Sequence, residues 1–168
     1  MPDDVIDRTL DVNVKHLEET LHRAAEHRGL SFVEVYQNCH VFNDGAYRFA
    51  SEKDQKHDNT VYLEHGKPLI FGKNRDKGLR LGAGGSLEVV TLGNGTSETD
   101  VLVHDERNRS LAYMLAHLSN PTPIGVFHAM PRPVYEEAMA RQVDAARQKQ
   151  GDGDIDALFK RGETWVVE

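Results

Sequence analysis

The stretch GLSFVEVYQNCHVFNDG, residues 29–45, sets the reading of the chain. Phe32-Val33-Glu34-Val35-Tyr36 is aromatic and β-branched, which predicts a strand buried on at least one face and opening at Gly29. Gln37-Asn38-Cys39-His40 and then Asn43-Asp44-Gly45 are polar and turn-forming. In open α/β sheets, ligands bind at the loops beyond the carboxyl ends of strands. Cys39, the single cysteine, therefore stands where chemistry is carried out. A lone thiol is equally at home as a small, inert hydrophobe, and the residue types by themselves leave both readings open.

Upstream, Val14, Leu17, Leu21, Ala24 and Ala25 recur at helical spacing. They predict a helix over residues 11–28, with Asn13 at its N-cap and Gly29 just past its end. Helix, strand and Cys39 loop make half of a βαβ crossover. Its first strand is expected to be missing, and with it the elements that would cover both faces of a parallel strand.

Downstream, residues 49–59 are charged and aperiodic, a loop or short helix. Residues 61–71 predict a short strand pair about Gly66-Lys67-Pro68. Residues 79–81 and 87–92 alternate as strands around the glycines of 82–85. A helix over 109–118 has Leu111, Met114, Leu115 and Leu118 on one face and ends before Asn120-Pro121-Thr122-Pro123. Residues 124–128 read as a strand and 133–150 as a helix with Pro133 in its first turn. A short helix over 155–160 and the apolar Trp165-Val166-Val167 close the chain.

The bulk numbers set outer limits. The 168 residues suit one domain with a small core, since 39% are hydrophobic. A net charge of −7 argues against a nucleic-acid surface. No apolar run approaches the roughly 18 residues that a membrane span needs. Residues 1–10, MPDDVIDRTL, are acidic and unlike a signal peptide. One cysteine allows no internal disulfide, which suits a reducing cytoplasm.

SFVEVYQNCHVFNDGAY resembles the 2-oxoacid:ferredoxin oxidoreductases, specifically the β subunit of the 2-oxoglutarate branch. Leu63-Glu64-His65-Gly66-Lys67-Pro68-Leu69-Ile70-Phe71-Gly72, Leu102-Val103-His104-Asp105-Glu106 and Pro123-Ile124-Gly125-Val126-Phe127 are similar to further segments of that branch. The resemblance runs from about residue 11 to the C-terminus. Such a subunit is roughly twice this length. The half not matched carries three more cluster cysteines and a GDG…N motif for thiamine diphosphate and Mg2+.

The resemblance implies an α/β fold, the C-terminal portion of a thiamine diphosphate-binding fold with a β-containing extension and a helical tail. Residues 1–48 would be the last helix-strand unit of the cofactor domain, 49–132 the extension and 133–168 the tail. It implies oxidative decarboxylation of a 2-oxoacid, with coenzyme A and ferredoxin. The complete enzyme would hold thiamine diphosphate, Mg2+ and a 4Fe–4S cluster. Cys39 would be the fourth cluster thiolate, with Asn38, His40 and Asn43 ordering its loop. No general acid or base can be named. The partners implied are the α subunit, ferredoxin and the missing N-terminal half of the β subunit, with no nucleic acid and no membrane. Alone, the chain is expected to hold no cofactor and to be inactive. The tail, residues 133–168, is expected to dock onto another chain or the missing half, with Trp165 either the anchor of that contact or folded back onto its own domain. Two rivals are a non-catalytic interaction domain that docks a catalytic partner, and a thiol or mononuclear metal enzyme using Cys39 with a histidine.

Other constellations are weaker. Gly151-Asp152-Gly153-Asp154 looks like a thiamine diphosphate motif but lacks a preceding buried strand and a following Asn one crossover later. His104-Asp105-Glu106 could bind metal, yet no helical i, i+4 histidine pair accompanies it, and the nine histidines read as solvated surface residues. Lys67 and Arg80 could meet a substrate carboxylate. The glycines of 82–85 precede no helix N-terminus and make a poor phosphate cradle.

Overall fold

The computed structural model describes residues 4–93, 95–131, 133–162, 165 and 167. They divide into two units, Met1–Arg132 and Pro133–Glu168. The first opens with β1 (Asp4–Leu10), α1 (Val14–Glu26) and β2 (Leu30–Tyr36). β1 and β2 are parallel and in register from Val5 opposite Ser31 to Leu10 opposite Tyr36. The βαβ crossover is therefore complete, and the expectation of a missing first strand is overturned. Asp7 and Arg8 hid this strand. Both are polar, yet Asp7 is 3% exposed and the Arg8 side chain 12%. Asn13 does occupy the N-cap of α1, but its amide donates to Tyr62 Oη at 3.1 Å and makes no cap bond.

The remaining strands are β3 (Thr60–Leu63), β4 (Ile70–Phe71), β5 (Lys77–Leu81), β6 (Leu87–Thr91) and β7 (Thr122–His128). Two short helices, α2 (Arg48–Ser51) and α3 (Lys56–Asn59), precede β3. The main sheet has the order β2-β1-β7-β3, with β7 antiparallel to β1 and parallel to β3. The expected strand pair over 61–71 does not form. β3 pairs with β7 and β4 with β5, because the chain between them is bonded elsewhere. Gly66 N donates to His104 O, and His104 N donates back to Lys67 O, both at 2.8 Å. β5 and β6 form the expected hairpin.

β7 is buried at every position. Its Pro123 lies beyond the stretch paired with β1, which begins at Gly125, so the missing N–H leaves no gap on that side. α4 (Arg109–Ala116) contributes Leu111 and Leu115, which join Phe127, Val61, Leu63, Leu69, Phe71 and Leu79 in the main core. α1 covers β1 on the other side, where Thr9 Oγ1 meets His16 Nδ1 at 2.7 Å. In the second unit, α5 (Tyr135–Gln150) and α6 (Ile155–Phe159) bury no residue. Among the described residues no helix is long and apolar enough to cross a membrane.

Gly125 is what lets β3 lie against β7. Its φ is +119°, and a Cβ there would stand 2.7 Å from the Leu63 carbonyl oxygen. Gly125→Ala meets both a disfavoured backbone and a backbone atom that cannot move alone. It should cost about 2 kcal/mol or more in chemical unfolding. An unchanged midpoint would show that the two strands are free to separate.

Asp7 makes the fold sensitive to pH. Its Oδ1 is buried without a hydrogen-bond partner. Burial raises the carboxyl from 3.8 to about 6, opposed by the Arg8 backbone N–H, Arg23 and Thr20. Native Asp7 thus holds its proton more tightly than unfolded Asp7. The stability linked to that proton is complete below pH 3.8 and is lost as pH rises through about 6. Two pKa units amount to roughly 3 kcal/mol once the native carboxyl is fully ionised. Asp7→Asn should regain on the order of 2–3 kcal/mol at about pH 7.5 and little at pH 4. Urea unfolding of both proteins across that range is the measurement. Identical pH dependence would mean that Asp7 keeps its ordinary titration in the folded chain.

Candidate functional site

β2 ends at Tyr36, whose ring stacks on Tyr47 at 4.3 Å, and the loop between them carries Cys39. Asn38 organises it. Its Oδ1 accepts from Gly45 N at 2.7 Å, and its amide donates to Asp44 Oδ1 at 3.0 Å. His40 Nδ1 lies 3.2 Å from the same Asp44 oxygen, and Arg48 approaches the other at 3.9 Å. Hydrogen bonds from Asn38 and His40 and the charge of Arg48 hold Asp44 below its ordinary value. Asn43 N donates to Cys39 O at 2.9 Å, closing the tip. The loop is thus closed by bonds from Asn38 to Asp44 and Gly45 and from Asn43 to Cys39.

The Cys39 thiol is exposed, and Sγ accepts the Phe42 N–H at 3.4 Å. Backbone N–H groups of Phe42, Val41 and Asn43 lower its pKa. Donors aimed at a sulfur favour the thiolate, the form that binds metals and attacks electrophiles. Val41 and Phe42 beside it are 82% and 91% exposed, an apolar tip that water disfavours. All four sequence-predicted residues, Asn38, Cys39, His40 and Asn43, come together here. Asp44 was missed as a participant. Its signal was its spacing of four from His40 and six from Asn38, either side of the turn.

A second concavity, about 340 Å³, opens on the face of β1 and β2 away from α1. Ile6, Phe32, Arg8 and Glu34 form one wall, and Arg109, Ala112, Tyr113 and Ala116 of α4 the other. Ile6 and Phe32 are 40% and 60% exposed. Arg8 anchors the floor. Its Nε is 2.6 Å from Glu34, and its guanidinium lies 5.0 Å from the Tyr36 ring and 4.8 Å from that of Phe127.

His104 is not the solvated histidine expected. It is 1% exposed and its Nε2 donates to the Val126 carbonyl at 2.7 Å, so it is a neutral prop for β7. Burial lowers its pKa. His128 is likewise buried. Asp105 turns to His65 at 3.7 Å and Glu106 to Arg23 at 2.8 Å, so the three residues do not converge. Arg80 is paired with Glu88 at 3.4 Å. Asp154 of the GDGD run caps α6, accepting from Asp156 N and Ala157 N. Among the described residues no three His, Cys, Asp or Glu side chains are grouped to hold a metal.

The chain is similar to the 2-oxoglutarate oxidoreductase subunit KorB of Mycobacterium tuberculosis (strain ATCC 25618 / H37Rv), with 32% identity over 171 residues. The match takes in 97% of this chain. It resembles the C-terminal part of that subunit. The chain spans 45% of the length of KorB, a little under half. No protein-family model and no solved structure gives a significant match. The match, like the resemblance read from about residue 11 to the C-terminus, runs along nearly the whole chain.

The loop's geometry has a direct chemical consequence. Cys39 should react completely with a maleimide or disulfide reagent in native buffer. The pH at half-maximal rate should lie below that of a cysteine in an unstructured peptide. Slow labelling that needs denaturant would show that the thiol is covered.

Proposed function

We propose that this chain is the C-terminal part of the β subunit of a 2-oxoacid:ferredoxin oxidoreductase acting on 2-oxoglutarate. The reaction is oxidative decarboxylation to an acyl-CoA, with two electrons leaving to ferredoxin. The observation that carries this reading is Cys39, a preorganised, exposed thiolate-favouring ligand just past the end of β2, in a chain that matches KorB over 97% of its length. When bound, thiamine diphosphate with Mg2+ and a 4Fe–4S cluster supply the carbon–carbon cleavage and the one-electron transfer.

The residues present fit the cluster as one ligand of four. Cys39 presents its sulfur to solvent with N–H donors behind it, and such donors tune cluster potentials. Asn38 and Asp44 fix the loop, Asn43 closes it, and His40 is positioned by Asp44. The other three thiolates come from outside this chain. The thiamine diphosphate site does not fit these residues, since the GDGD run is an exposed helix cap. That site belongs to the N-terminal half of the β subunit, so the chain alone is inactive.

The surface supports working within a complex. The apolar cleft of β1, β2 and α4 leaves Ile6 and Phe32 uncovered. In the tail, Met139, Phe159 and Trp165 are 46%, 76% and 84% exposed. Val166, between Trp165 and Val167, lies outside the described residues. The same surfaces favour a second reading, a non-catalytic domain that docks a catalytic chain. Cluster content separates the two. In a complete subunit, Cys39→Ser should lower iron and acid-labile sulfide and slow ferredoxin reduction at least tenfold, because an oxygen ligand suits the cluster iron poorly. Full iron content and normal electron transfer in that variant would leave only the docking role.

A further inference from the structure

The cleft beside β3 is lined by three exposed cationic side chains that are held by no ion pair among the described residues. It is a concavity of about 470 Å³ between the β3 edge of the main sheet and the turn joining β4 to β5. That is an ordinary size for a small-molecule site. Lys67, Lys73 and Arg75 line it with Glu64, and behind Gly72 in its wall stand the carboxylates of Asp76 and of Asp58, the latter taken by Lys77. Among the described residues, none of the three cationic side chains has an ion-pair or hydrogen-bond partner. Their neighbours behave differently. Lys77 is held by Asp58 at 2.8 Å and Arg80 by Glu88 at 3.4 Å. The chain has 27 acidic residues against 20 lysines and arginines, so unpaired cations gathered in one hollow are not a consequence of composition.

Arg75 adds a backbone observation. Its φ is +54°, and among the described residues it is the one non-glycine with positive φ. Asn tolerates that conformation better than Arg, yet Asn74 does not occupy the position. Strain of this kind persists where the surroundings fix it and often accompanies a binding role. Under the charged rim lie the buried Ile70 and Phe71.

We propose that this cleft binds a small phosphate-bearing ligand, with Lys67, Lys73 and Arg75 on its phosphate oxygens. The guanidinium fork and two ammonium groups match an anion with several charged oxygens better than a single carboxylate, which would leave cations unanswered. The proposal rests on this cleft alone and stands apart from the redox reading. Its test needs only the present chain.

Inorganic pyrophosphate is titrated into the protein at low ionic strength and followed by calorimetry. Saturable one-to-one binding is expected, weakened at least tenfold in the double variant Lys73→Ala, Arg75→Gly and unchanged in Lys15→Ala. Glycine keeps the left-handed backbone at position 75, so Arg75→Gly should melt no lower than the parent while binding more weakly. Absence of saturable binding at millimolar pyrophosphate would overturn the proposal. So would equal affinity in the double variant, or citrate binding as tightly as pyrophosphate.

Discussion

A strand with no face or edge left to water dictates the rest of this fold. β7 is buried from Thr122 to His128, so it must be paired on both edges and covered on both sides. β1 and β3 supply the edges. α4 supplies Leu111 and Leu115 over Phe127. The carbonyl of Val126 takes its hydrogen bond from buried His104. A buried backbone group without a partner costs roughly 1–3 kcal/mol, so a histidine in that place is a structural necessity and need not be a catalyst. Gly125 meets the same demand from the other direction, by having no Cβ where Leu63 passes.

The sequence shows this arrangement unevenly. β2, α1, α4, the β5–β6 hairpin and the two tail helices follow from period and turn residues. β1 does not, because its pattern is broken by Asp7 and Arg8. Each is buried by means that period cannot express. Asp7 goes inside with the Arg8 backbone N–H, Arg23 and Thr20 offsetting part of its burial, and Arg8 by pairing with Glu34 between two aromatic rings. The misreading of residues 61–71 has a similar origin. A glycine turn between two apolar runs suggests a hairpin, but whether the runs pair depends on distant residues 102–104, which take the hydrogen bonds instead.

The candidate site was more legible than the fold around it, because its geometry is local. The Asn38, Asp44 and Gly45 bonds span no more than seven residues, and a strand followed by such a turn can be read from residue types. What could not be read is the direction of the N–H groups toward Sγ, which depends on the folded turn. The cationic cleft is the opposite case. Lys67 and Arg80 look alike in sequence. Only the fold shows that Arg80 has a carboxylate within reach while Lys67 opens onto a hollow.

The two halves of the proposed role therefore rest on different physics. The Cys39 loop is held by hydrogen bonds among its own residues, which fix the sulfur within this chain. Ordering that precedes ligation reduces the entropy a metal centre must overcome when it assembles. The apolar cleft of β1, β2 and α4 has no such independence. Ile6 and Phe32 gain roughly 25 cal/mol for each Å² of apolar surface they lose to a partner, and within the described residues nothing takes that surface from water. A chain built this way keeps the Cys39 loop ordered and its apolar face open, and in the proposed complex Cys39 would stand in position as a ligand when the chains associate.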